Sequence, residues 1–534
     1  MDDLPRPSRH HAGCNNPYMD DFPRGNAKEE IVQRTPGWID KAAQKYRNNP
    51  RKPSNPAGIS EIEIGVDSPW MNMVRTQVNT RRGRAHANGP CTIFKVQENI
   101  LQCNPDAYTP LVVSIGPYHH HQCSPRYSNF LAMENYKWLC LRRLLFRHRS
   151  RRGATELLDK CLLEMKSLDA DVQTCYSEPL HRGFDAESLA MVMLLDGCFI
   201  LHLLLKRQNL IDDVSNSDQD NDDDDDQVED GEILLERGKR DKEMEEEPLL
   251  GTLWIWNFVL YDLLKLENQI PFFVLKTLFG LLKAPGDEDL DLVNLAFKLF
   301  SDIHPSNSQT RPVLPAADQV HHLLHLLHST LVPSKNHHVL DITQAVKAPK
   351  RIPNATELQQ AGVKFVKKIN ASSFLDISFH SNGTMEIPEI CLYDHTNTLF
   401  RNLIAFEQCY PNTRTYITIY AAFMDRLIDT PKDVRLLHLN GILTNGLSTD
   451  EAAADLFNKL CYQIHYASDR NYLHELFVDV NKYYYSRWNQ WRARLMRDYF
   501  SNPWTIISLM AAVLLLLLTV EQSFFSAYSY FRPS

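Results

Sequence analysis

LLGTLWIWNFVLYDLLKLENQIPFFVLKTLFGLL, residues Leu249–Leu282, decides the fold. The stretch is apolar almost throughout, and Pro271 cuts it, because proline lacks an amide hydrogen and its ring clashes with the preceding helical turn. It therefore reads as one or two buried helices split at Pro271. A helix that is apolar on every side needs other helices around it. The polar triplet Glu267-Asn268-Gln269 interrupts the run just before Ile270-Pro271.

Upstream, Glu187–Lys206 (ESLAMVMLLDGCFILHLLLK) is also apolar nearly all round and predicts a central core helix. Between these two segments, residues 207–249 break the pattern. Residues 212–247 hold 18 Asp/Glu and 4 Lys/Arg, including Asp222 to Asp226 and Glu245 to Glu247. Mutual repulsion keeps such a run solvated, so it predicts a disordered acidic insert between two core helices. It carries a local charge of −14 within an overall −9, which leaves +5 for the rest of the chain. That is too little to argue for nucleic acid from composition.

Further out, Cys91–Val96 and Tyr108–His119 read as extended segments, the second ending in a Gly-Pro turn. Helices are expected over 130–146, 155–176, 287–303, 318–331, 398–409, 413–428, 450–466 and 470–499, the last running on into the C-terminal apolar run. Phe374–Phe379 alternates, His380–Gly383 has turn chemistry, and Thr384–Asp394 returns about Pro388, which predicts a small antiparallel sheet. Residues 1–90, rich in Pro, Arg, Asn and Gly, predict a largely disordered region, with a short island at Ile62–Val74. The fold class expected is mainly α with a small antiparallel β-sheet: one large helical body over 91–503.

Trp504–Val520 (WTIISLMAAVLLLLLTV) has no charge and, at about 1.5 Å per residue, is near the length of a bilayer core. Glu521 interrupts it and a tail, 521–534, follows. Trp488, Trp491, Tyr499 and Trp504 on one side and Phe524, Phe525, Tyr528 and Tyr530 on the other are placed as aromatic belts are. Lys482, Arg487, Arg492, Arg494 and Arg497 precede the span and only Arg532 follows it. The positive-inside rule then puts the body in the cytosol. No apolar stretch resembling a signal peptide opens the chain. These features predict a single-pass protein of tail-anchor type, in the plasma membrane or endoplasmic reticulum.

The chain has 11 cysteines, an odd number with no C-x-x-C pair, which argues against a disulfide framework or zinc ribbon. Glycine-rich phosphate loops, G-x-S-x-G and H-E-x-x-H are absent. This removes the main sequence grounds for a nucleotide-binding, Rossmann, serine-hydrolase or zincin reading.

Several stretches together resemble the plant family called domain of unknown function 247. They are AYTPLVVSIGPYHH (107–120), the ME-x-x-K at Met133–Lys137, LLDGCFIL (194–201) and DLLKLENQIPFFVL (262–275). They continue with ATELQQAGVKF (355–365), LFRNLIAFEQC (399–409), W-x-x-WRA (488–493) and YFSNPWTIISLMAA (499–512). The resemblance covers about 90–531. Gln97 stands where that family usually has Pro, and the acidic insert is longer than usual. The resemblance implies a plant source and a C-terminal membrane segment, supplies no catalytic residues, and points to pollen–stigma self-incompatibility in some grass members.

Several groups invite chemical readings. His119, His120 and His121 follow the Gly-Pro turn, with Ser114 nearby, but adjacent extended residues point to opposite faces and cannot chelate one ion well. In HHLLHLLH, His321, His325 and His328 share a helical face at metal-binding spacing, yet no carboxylate or thiol close in sequence completes a shell. Glu267, Asp196 and Glu407-Gln408 lie in apolar sequence, where carboxylates either act as general acids or tie segments together. Tying is the simpler expectation, especially for Glu267-Asn268-Gln269 at a helix end. Cys198 lies in apolar sequence, unlike a reactive thiolate. The Arg142–Arg152 cluster has only Phe146 among it, too few aromatics to stack on bases. The sequons at Asn354, Asn370 and Asn382 are no more than chance provides.

No catalytic, cofactor or metal residue is therefore assigned. The functional expectation is a non-enzymatic, membrane-anchored plant protein acting by protein–protein recognition, with the bilayer and an unknown protein as partners and no nucleic acid. An enzyme with an unrecognised carboxylate or histidine site and a membrane-tethered scaffold are the alternatives.

Overall fold

The computed structural model describes residues 91–120, 128–147, 151–180, 184–216, 253–284, 286–305, 312–332, 352–371, 373–464, 471–500 and 503–531, with Met73 and Thr76. The core of the acidic insert and nearly all of the N-terminal region expected to be disordered lie outside the described residues. From residue 91 onward they belong to one compact unit, 83–534.

The N-terminal half is a bundle around α4 (Ala186–Asn216), against which pack α1 (Ser128–Phe146), α2 (Arg151–Ser167), a short α3 (Asp169–Cys175), α6 (Phe272–Leu282) and α7 (Leu292–Leu299). The sequence dictates the centre: Leu189, Met193, Phe199, Ile200, Leu203 and Leu204 of α4 are all buried. The helix continues to Asn216, so the first residues of the expected insert are helical. Gly197 marks the closest crossing, since a Cβ there would strike the Cδ1 atom of Leu278 on α6. The apolar run Leu249–Leu282 forms α5 (Leu253–Asp262) and α6, with the Leu263–Pro271 corner between them.

The second half continues the same core through α8 (Leu323–Leu331), α9 (Ala355–Ala361), α10 (Thr396–Cys409), α11 (Tyr416–Leu427), α12 (Pro431–Leu439), α13 (Asp450–Leu460) and α14 (His474–Tyr484). Its β-structure differs in detail from the expected antiparallel sheet. The hairpin forms as read: β2 (Ser378–Phe379) pairs antiparallel with β3 (Thr384–Ile387), and Gly383 takes φ 85° in the turn. β1 (Lys364–Lys367) then adds to β3 in parallel, and β4 (Ile390–Leu392) pairs in parallel with β5 (Leu443–Asn445), making two small sheets. The parallel partners come from outside the alternating island, where local periodicity carries no signal.

The expected 470–499 helix is two, α14 and α15 (Arg487–Tyr499), because Ser486 takes an extended conformation (φ −63°, ψ 142°). A separate α16 (Pro503–Phe531) follows, and Glu521 lies inside it instead of ending it. Among the described residues two helices are long and apolar enough to cross a membrane. Ala186–Gln208 has mean hydropathy 2.1 and is 78% buried, whereas Trp504–Tyr528 has 2.2 and is 0% buried. Composition does not separate them; packing does.

Gly197→Ala should lower stability by about 1–3 kcal/mol through overpacking against Leu278. Combining it with Leu278→Ala should remove the clash and leave a cost less than the sum of the two single changes. Thermal melts of the three variants in detergent check this.

Candidate functional site

The expected extended segment Tyr108–His119 is irregular instead: Tyr108 closes a 3-10 turn (φ −110°, ψ −21°), Pro117–His120 is a helical turn, and the stretch between them pairs with no strand among the described residues. Buried backbone amides must find acceptors somewhere, and here side chains supply them. Asp262, at the end of α5, accepts the amide hydrogens of Leu111, Val112 and Val113 at 2.9, 2.7 and 3.0 Å. Asn268 accepts from the Ile115 amide at 2.7 Å and donates to the carbonyls of Val113 and Asp262. Gly116 donates to Asp196 at 2.7 Å. The position suits only glycine: φ is 74°, and a Cβ would stand 2.5 Å from the carbonyl oxygen of Gln269.

Cations close this network. Lys265, buried beside Asp262 at 3.1 Å, donates to the carbonyl of Thr109. Lys137 donates to the carbonyl of Ser114, to Glu134 and to Asp196, each at 2.6 Å. Burial raises the Asp196 carboxyl above its ordinary range, while the Lys137 ammonium and the Gly116 amide pull it back. Burial works against the charge of Lys137, but Asp196 and Glu134 overcome it and hold that group up. Glu267 accepts from the Val96 amide at 2.8 Å and lies 3.4 Å from Lys95 and 3.5 Å from His119. Gln269 donates to the carbonyls of Leu263 and Lys265 and accepts from the Leu324 amide. Asn402 of α10 accepts from the Leu266 amide and donates to the carbonyl of Ala107, joining both halves.

The histidines are built into the second half. The helix starts only at Leu323, with His322 capping it, so His321, His325 and His328 do not converge on one point as a continuous helical face would allow. His321 stacks on His325 with ring centroids 4.5 Å apart and bonds the hydroxyl of Tyr410 at 2.8 Å. His328 bonds Glu407 at 2.9 Å. Glu407 also accepts the amides of Ile417 and Thr418 and the Thr418 hydroxyl, serving the first turn of α11. Among the described residues no three His, Cys, Asp or Glu side chains are grouped to hold a metal.

The other candidates are dispersed. The Ser114 hydroxyl makes no hydrogen bond, so it forms no pair with a histidine. His120 packs on Phe184, and His121 lies outside the described residues. Cys198 is fully buried, which pushes its thiol up. Arg147 pairs with Asp287, and Arg142 lies over the ring of Phe146. Asn354 caps α9, and Asn382 accepts from the Thr384 amide in the β2–β3 turn. A cavity of about 220 Å³ lies at Asp302, His304, Cys391, Tyr393 and His395, smaller than a typical ligand pocket and away from every residue singled out in the sequence. His395 stacks between Tyr261 and Tyr393.

Sequence reasoning missed Asp262, Lys265, Lys137 and Asn402. The available signal was a polar residue at an inward position of an apolar helical run, the same signal that singled out Asp196. It also missed Asp433, which completes a capping box with Thr430 at the start of α12 and accepts from Thr356.

These features define a class: a large helical body whose buried polar side chains bind its own backbone, followed by an exposed apolar helix. The chain belongs to the DUF247 family, described as plant protein of unknown function, whose profile matches residues 93–518. It is similar to the Arabidopsis thaliana UPF0481 protein At3g47200, with 28% identity over 460 residues, 82% of this chain and 87% of that protein. It is also similar to the putative UPF0481 protein At3g02645 of the same plant, with 25% identity over 538 residues, 83% of this chain and 92% of that protein. No solved structure matches.

Asp262→Ala strips an acceptor from two buried amides and a partly buried one and leaves Lys265 without its carboxylate. It should cost at least about 3–5 kcal/mol, seen as loss of soluble folded protein in detergent, with Asp262→Asn intermediate. Glu267→Ala, which removes one amide acceptor and two weaker contacts, should cost about 1–3 kcal/mol. An unchanged melting temperature for either would remove the tying role.

His322 gives a pH prediction. Burial holds it down at about 3, and its Nδ1 accepts the His325 amide while Nε2 lies 3.1 Å from the carbonyl oxygen of Thr92, which suits the neutral ring. The folded value lies below the unfolded one, so the unfolded chain takes the proton first as pH falls. The stabilisation is full above about pH 6.5 and is lost between there and about 3. Each such group contributes a slope of up to about 1.4 kcal/mol per pH unit. His322→Asn keeps a capping oxygen and removes the titration, so its melting temperature should decline less steeply below pH 6.5.

Proposed function

We propose that this chain is a single-pass membrane-anchored plant protein that works by protein–protein recognition and not by catalysis. The observation that carries the anchor is α16: Trp504–Tyr528 is a 25-residue apolar helix, none of whose apolar window is buried. At about 1.5 Å per residue it exceeds the thickness of a hydrocarbon core. The charge bias around it favours a cytosolic body, with the plasma membrane or endoplasmic reticulum as host.

Recognition is supported by how the ionisable groups are used. Asp196, Asp262, Glu267, Glu407 and Asp433 all accept hydrogen bonds from the chain's own backbone, which is the use expected of structural carboxylates. The outward side of α1 instead presents Leu131, Trp138, Leu139 and Phe146, which are 69%, 51%, 37% and 47% exposed, with Arg142 over the Phe146 ring. Tryptophan and arginine dominate protein–protein hot spots. The family resemblance extends the proposal to cell–cell or reproductive signalling, pollen self-incompatibility included.

Deleting 503–534 should move the protein from the alkali-resistant membrane fraction to the soluble one, and a tag at residue 534 should be protease-protected in intact microsomes. Retention of the truncated chain in alkali-washed membranes would overturn the anchor. Proximity labelling from the native membrane should return a partner set that Trp138→Ala depletes without changing abundance. An unchanged set would remove α1 from the proposal.

A further inference from the structure

The helix before the anchor has a face that the body does not use. On α15, Trp488 and Trp491 stand at i and i+3, on one side of the helix. Trp488 and Trp491 are 70% and 55% exposed, with ring centroids 5.4 Å apart. The helix rests on the body through other positions. It packs against α9, Asn489 donates to the carbonyl of Tyr483, and the Arg492 guanidinium lies beside Gly362. Between Lys482 and Phe500 the chain carries Lys482, Arg487, Arg492, Arg494 and Arg497 against the single acid Asp498, a net charge of +4.

Two neighbouring exposed tryptophans rimmed by arginines suit a surface that is apolar below and anionic above. A bilayer interface has that chemistry, and tryptophan and arginine are favoured there. Covalent continuity supplies the location. α15 ends at Tyr499 and α16 begins at Pro503, so the end of α15 lies within about 14 Å of the start of the span. A soluble protein partner would need apolar surface of its own at the same short distance from the membrane.

We propose that α15 is an interfacial helix docked on anionic phospholipid. Trp488 and Trp491 sit at the acyl boundary, and Arg487 and Arg494, which flank them, meet headgroup phosphates. The body is thereby held against the leaflet and does not swing from a tether. This rests on α16 spanning the membrane.

The test uses the full chain in vesicles of phosphatidylcholine alone or mixed with phosphatidylserine, floated after an alkaline wash and then footprinted with hydroxyl radicals. Oxidation of Trp488 and Trp491 should fall at least about fivefold in the anionic vesicles, fivefold being the gain one lysine or arginine contributes at such a surface. Trp138, exposed on α1, should not change. Arg487→Gln/Arg494→Gln, at two exposed positions, should restore oxidation toward the phosphatidylcholine level. Equal oxidation in both lipids, with the protein floating, would overturn docking and leave the span intact. Protection that ignores lipid charge but vanishes on dilution would assign the face to a second copy and overturn docking too. A chain that does not float would overturn the span, and this inference with it.

Discussion

The carboxylate of Asp262 accepts the amide hydrogens of Leu111, Val112 and Val113, and the fold around it depends on that acceptance. An irregular segment placed inside a helical protein has no neighbouring strand to satisfy it. Left bare, each amide would cost about 1–3 kcal/mol, and three of them would consume a large part of ordinary domain stability. One ionised side chain removes that cost, and Lys265 keeps the charge compensated at 3.1 Å. The corner between α5 and α6 then extends the same solution with Glu267, Asn268 and Gln269.

The solution recurs. Glu407 holds the first turn of α11, Asp433 the first turn of α12, and Asp196 fixes the turn at Gly116. Asn402 links the corner to α10. Because Asn402 bonds backbone of both Leu266 and Ala107, it fixes the second half against the first. Buried groups with several partners are high-stakes, since removing one member exposes the rest. Each of these acids thus has a structural use in accepting hydrogen bonds from backbone.

Much of this was legible in the sequence. All-round apolar runs mark α4, α5 and α6, and Pro271 marks the corner, because those signals are local and strong. Glu267, Asn268 and Gln269 were read as ties, and the geometry provides the tied atoms. The β1–β3 and β4–β5 pairings were not legible, because a parallel partner lies far off in sequence and leaves no local trace. Asp262 and Asn402 were passed over because a single polar residue in an apolar helix looks the same whether it faces water or a backbone amide. The break at Ser486 was hidden by amphipathic sequence continuing on both sides, and Glu521 looked like an end although one carboxylate does not terminate a helix.

Asp196 sits near the middle of α4, an apolar helix as long as many membrane spans. In the finished bundle it is a partner for Lys137 and Gly116. During synthesis, α4 emerges well before α16 and before α6 and α7, which complete its shelter. At that moment an insertion machine meets a hydropathic segment of 2.1 against 2.2 for the later one. An acid at the centre of such a segment raises its insertion free energy by about 2.5–3.5 kcal/mol, and no ionisable residue lies within Trp504–Val520. The same carboxylate that fastens the bundle therefore makes α4 a poorer candidate for insertion than its hydropathy alone suggests.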